Sequence, residues 1–68
     1  MSGEWIARYM RYGCEGQQEA DNLSEAIGIL AWGWERSELA EIDILDPSGN
    51  VALTGDELFR AMMDRLGA

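Results

Sequence analysis

Residues 4–12, EWIARYMRY, are rich in aromatic and branched side chains, and that pattern predicts a first strand. Alternation gives it one face of Trp5, Ala7, Tyr9 and Arg11 and another of Ile6, Arg8, Met10 and Tyr12. Neither face is purely polar, which predicts a strand covered on both sides or an edge that meets something. Residues 13–21, GCEGQQEAD, carry no apolar period and read as a polar connection.

The period then changes from two to that of a helix. Asn22, with Glu25 three residues on, forms a capping box that opens a helix from Leu23 to about Arg36. Leu23, Ala26, Ile27, Leu30, Ala31 and Trp34 fall on one side of it and predict the core face. Trp32 falls directly opposite, with Ile29 beside it, so an apolar pair stands where the helix should meet water. Ile29 and Trp32, flanked by Glu25 and Arg36, are the candidate partner-binding residues. Either the chain's own N-terminal half folds over this pair or another protein does, and tryptophan is among the residues most enriched at contact hot spots. Gly28 and Gly33 lie in the same helix, where each costs about 1 kcal/mol relative to alanine and implies a packing reason.

In residues 40–54, AEIDILDPSGNVALT, Ile42 and Ile44 alternate with Glu41 and Asp43 before the turn Asp46-Pro47-Ser48-Gly49. Proline presets φ at the second turn position, and glycine at the fourth accepts a left-handed backbone, so the segment predicts a hairpin. Thr54 and Glu57 repeat the capping-box spacing and predict a last helix from Gly55 to about Leu66, stopped by Gly67. Leu58, Phe59, Met62 and Leu66 line one side of it, with Met63 at the margin. The predicted order is β-α-β-β-α, an α+β class fold with a small three-stranded sheet and two helices, in one domain spanning residues 1–68.

A chain of 68 residues buries only about 60% of its unfolded surface and draws roughly 3 to 5 kcal/mol from one core. It needs a staple or a partner. Cys14 is the single cysteine and histidine is absent, so neither an internal disulfide nor a structural zinc site is expected, and no cofactor is. A protein partner or a second copy, as a homodimer, is the remaining source of buried area. Without histidine or lysine there is no ordinary proton shuttle, Schiff base or phosphate-binding amine, so the chain is not read as an enzyme. Among acidic neighbours, Cys14 is not expected to be reactive.

Net charge is −8, and residues 15–57 hold eleven acids against one base, Arg36. That balance argues against direct binding to nucleic acid or to an anionic membrane. It fits a solvated acidic surface, a dock for a basic partner, or an acidic mimic of nucleic acid. No apolar run reaches the roughly 18 residues of a membrane span, MSGEWIARYMR lacks the apolar core of a leader, and the lone cysteine agrees with a cytoplasmic location.

Residues 46–57, DPSGNVALTGDE, also admit a calcium reading, that of an EF-hand-like module. Asp46, Ser48 and Asn50 take its first, third and fifth positions, and Glu57 takes the twelfth, where a bidentate ligand belongs. Val51 stands where such a loop turns on glycine, and the DPSG turn accounts for the segment without a metal.

NLSEAIGILAWGWERSELAEIDILDPSGNVALTGDEL resembles the small acidic open reading frames of actinobacterial viruses and prophages, where a strand, an "SEA" helix and a "DPxG" hairpin follow one another. Arginine without lysine fits their GC-rich genomes. The resemblance implies a viral accessory protein that binds and redirects a host protein. The leading expectation is therefore a small acidic protein-binding module.

Overall fold

A computed structural model of the chain describes residues 4–67; the first three residues of the N-terminal segment and Ala68 lie outside it. The elements are β1 (Trp5–Arg11), β2 (Cys14–Ala20), α1 (Leu23–Glu35), β3 (Ala40–Leu45), β4 (Val51–Thr54) and α2 (Gly55–Arg65). The strands pair antiparallel in one sheet of order β2-β1-β3-β4. The class is α+β as expected, but the sheet has four strands, because the segment read as a polar connection is the edge strand β2. A strand at the edge needs few apolar residues, and of β2 Ala20 alone is buried. The hairpin is set by Tyr12 and Gly13, whose φ values of 54° and 79° are the paired left-handed conformations of a two-residue type I′ turn.

The second hairpin forms where its turn residues place it. The Gly49 amide donates to the Asp46 carbonyl at 2.8 Å, with Gly49 at φ 88°. The Asp46 carboxylate accepts the amides of Ser48 and Asn50, both at 2.9 Å, an Asx turn that stiffens the loop. The segment 46–57, which also admits the EF-hand-like reading, is thus a turn, a strand and the start of a helix. Asp46 is turned onto its own loop, and the extended β4 separates Asn50 from Glu57, which stands in the first turn of α2.

Cross-strand register puts Trp5, Ala7 and Tyr9 on the same sheet face as Ala20, Ile44 and Leu53. These residues form or border the core with Ala26, Leu30 and Ala31 of α1 and Leu58 and Met62 of α2, so both helices cover this face. The other face bears Ile6, Arg8 and Met10 beside Asp43 and Leu45, and no helix.

Helix ends follow the capping expectation at one N-terminus and depart from it at the other. Asn22 accepts the Glu25 amide at 2.8 Å, and Glu25 accepts the Asp21 amide at 2.6 Å. Thr54 caps nothing with its side chain; its hydroxyl donates to the Ile42 carbonyl at 3.1 Å, because Thr54 still belongs to β4 and faces across the sheet. The C-terminus of α1 is a Schellman turn, in which Ser37 donates to the Trp34 carbonyl at 3.0 Å and Glu38 to the Gly33 carbonyl at 2.9 Å. Ser37 occupies its left-handed position at φ 61°. Two aromatic residues expected in the core lie outside it. Trp34 is 37% exposed and Phe59 39% exposed, and they meet edge to face with centroids 5.5 Å apart. Trp34 is in the last turn of α1, beside Phe59 of α2 and at the rim of a second open groove with Met10, Tyr12 and Ala40. No helix among the described residues is long and apolar enough to cross a membrane.

Two backbone positions yield predictions of opposite sign. No atom crowds the Cβ direction of Gly49, so Gly49→Val costs the backbone strain alone, about 1 to 3 kcal/mol in urea denaturation. Ser37→Gly relieves the strained serine and raises stability by about 0.5 to 1 kcal/mol in the same measurement.

Candidate functional site

Ile29, Trp32, Glu25 and Arg36, widely spaced on α1, line one open groove of about 380 Å³. The groove follows the outer side of α1 from Glu25 to Arg36. Tyr9, Arg11 and Gln18 enter it from the first hairpin, Leu39 from the loop after α1, and Arg65 from the end of α2. Trp32 is 46% exposed, whereas Ile29 is half-buried against the core. The N-terminal strand therefore does not cover the tryptophan.

Both glycines of α1 admit a neighbour that a methyl group would block. A Cβ on Gly33 would stand 2.8 Å from Leu39 Cγ, so glycine lets the reversing chain lay Leu39 against the helix. A Cβ on Gly28 would stand 3.0 Å from Arg65 Nη2. The Arg65 guanidinium lies across that bare backbone and donates from Nη1 to the Ser24 carbonyl and hydroxyl, both at 2.9 Å. A third close approach sits in the first hairpin, where Tyr9 faces Gly16 and the tyrosine ring covers the missing side chain.

The charges fall into two groups. On the helix-free sheet face, Arg8 grips Asp43 through two hydrogen bonds of 2.7 and 2.6 Å and lies 3.7 Å from Glu15. The hydrogen bond to Asp43 raises the Arg8 pKa. At the end of that face the Glu4 carboxyl is raised above its ordinary value, first by a hydrogen bond to Glu19 and then by the charge of Glu19. The groove instead gathers Arg11, Arg36 and Arg65 with Glu25 and Glu38, and Arg36 meets Glu38 at 3.3 Å.

Arg11, Leu39 and Arg65 are groove residues that periodicity on α1 does not reveal. Gly28 and Gly33 are the sequence signal for two of them, since a glycine inside a helix marks a close neighbour without naming it. Comparison with protein-family models, curated proteins and solved structures returned no match. The functional reading therefore stands on the groove itself.

Gly33→Ala drives a methyl group into Leu39 and costs about 1 to 3 kcal/mol in urea denaturation. In a Leu39→Ala background the same change becomes neutral or stabilising, because alanine is then the better helix former by about 1 kcal/mol. An unchanged cost in that background would remove the contact as its cause.

Proposed function

We propose that this chain is a small non-enzymatic module that works by binding another protein chain through the groove along α1. In the setting that its sequence resemblance implies, it is a cytoplasmic viral accessory protein acting on a host protein. The observation that carries the reading is Trp32, held 46% exposed on a rigid helix at the edge of an open groove with Ile29 and Leu39 behind it. A tryptophan on a helix has two side-chain torsions to fix and a large amphipathic surface, so it gains buried area on contact at low entropic cost. The small core adds a reason, since a partner that binds only the folded chain stabilises it by RT ln(1 + c/Kd), where c is the free partner concentration.

The Asp46 carboxylate is spent on the amides of its own loop, so no observation favours the calcium alternative. Acidic mimicry of nucleic acid has no particular geometry in its favour, whereas the groove has a shape, an aromatic edge and a charge pattern. Its occupant is either a second copy or a foreign protein.

Trp32→Ala tests the reading. Because the side chain is half outside, the substitution costs about 1 to 2 kcal/mol and leaves the circular dichroism spectrum that of a folded chain, well short of the 3 to 5 kcal/mol of a core truncation. Sedimentation then shows a dimer converted to monomer, or affinity capture shows proteins retained by the parent and lost from the variant. A folded variant with unchanged mass and unchanged retained proteins would falsify the proposal.

A further inference from the structure

Three of the chain's five arginines, Arg11, Arg36 and Arg65, line the groove, with Glu25 and Glu38 as its two acids. The rest of the chain holds two arginines against eleven acids. Positive charge is thus concentrated at the groove of a molecule whose net charge is −8.

The three guanidinium groups are also open to a ligand. Arg65 is oriented by its two bonds to Ser24, which leave Nε and Nη2 without a hydrogen bond among the described residues. Arg11 rests 5.4 Å from the centroid of the exposed Tyr12 ring and has no ion pair among the described residues. The Arg36–Glu38 pair is long, at 3.3 Å, and exposed; such pairs are worth about 0 to 1 kcal/mol and yield to a better-placed carboxylate. Glu25 is already engaged, accepting the Asp21 amide at the helix N-terminus.

We propose that the groove takes an acidic segment of a partner protein, its carboxylates on Arg11, Arg36 and Arg65 and an apolar side chain between them on Trp32, Ile29 and Leu39. The inference rests on the binding-module reading and adds the chemistry of the partner. The guanidinium fork matches a carboxylate with two parallel hydrogen bonds, and guanidinium is more weakly hydrated than ammonium, so arginine loses less on leaving water. Charge extent selects against a long polyanion. Nucleic acid would run past the groove over the acidic remainder, whereas a short acidic stretch feels mainly charges within a Debye length of about 8 Å at physiological salt.

The test is a random-peptide display library depleted on an Arg11→Gln/Arg36→Gln double variant and then panned on the parent chain. Both arginines are exposed and neither joins two elements, so circular dichroism of the variant should match the parent. The retained peptides should be rich in Asp and Glu around an apolar residue. They should bind the double variant about tenfold more weakly, weaken further as salt rises, and keep their affinity for Arg60→Gln, a control on α2 outside the groove. Retained peptides that are basic or uncharged, the retention of none, or displacement by a short single-stranded oligonucleotide would overturn the acidic ligand. Trp32→Ala separates this failure from the wider one. Basic peptides that lose affinity for Trp32→Ala sink the acidic ligand and leave the binding module standing, while peptides of any charge that bind Trp32→Ala unchanged sink both.

Discussion

Helix α1 reaches the sheet through alanines, and the thickness of the interior follows from that approach. Ala7 and Ala20 from the strands and Ala26 and Ala31 from the helix are four of the eight buried apolar residues. Interiors pack at the density of organic crystals, so side-chain volume at the interface sets how closely a helix lies on a sheet. Larger buried side chains are confined to Leu30, Ile44, Leu58 and Met62. Trp5 and Tyr9 pack at the margin, and Trp32, Trp34 and Phe59 remain more than a third exposed. Trp32 stays outside because it falls opposite the small residues by which α1 meets the sheet.

The helix-free face of the sheet solves a different problem. Asp43, on the second central strand, is the buried charged residue among those described, and a carboxylate removed from water is costly unless paired and hydrogen-bonded. Arg8 on the neighbouring strand meets it edge-on, Nε and Nη2 each donating to one carboxylate oxygen, with Ile6, Met10 and Leu45 on the same sheet face. This pair joins β1 to β3 without a second layer of helices. It also commits one arginine to structure, which divides the chain's five arginines into a structural one at Asp43, three at the groove, and Arg60 on α2 outside both.

Local chemistry made most of the fold legible. Asn22 caps α1, Pro47 and Gly49 shape the second hairpin, and Gly67 ends α2 at φ 80°, each because a few adjacent residues decide the outcome. β2 was not legible, because an edge strand bordered by solvent carries no alternation, and its signal lies instead in a two-residue turn where Tyr12 stands in place of the usual asparagine. Thr54 shows the limit of spacing rules. Its distance from Glu57 fits a capping box, yet the hydroxyl had a nearer acceptor in Ile42 on the adjacent strand. Trp34 falls on the core side of α1 by period but in its last turn, where it stays 37% exposed, and periodicity gives direction around a helix without saying how deeply each turn is covered.

For the site, the α1 side of the groove could be read from the wheel, since Ile29 and Trp32 stand away from the core side of that helix. Its remaining residues come from three separated parts of the chain, and only tertiary structure brings Arg11, Leu39 and Arg65 to that helix. Charge shows the same limit more sharply. A count of acids and bases weights every residue equally, and it fits a solvated surface, a dock for a basic partner and a mimic of nucleic acid alike. Interaction at a contact weights residues by distance, because exposed charges more than a Debye length apart are largely screened. The acids of the hairpins and the far helix thus govern solubility and the long-range field, while the groove is governed by what lines it, three guanidinium groups and two carboxylates of which one already serves a helix end. A strongly acidic molecule can accordingly carry a site of the opposite preference, and the repulsion from its remainder then works as selection, favouring partners whose negative charge is short and local over those in which it is continuous.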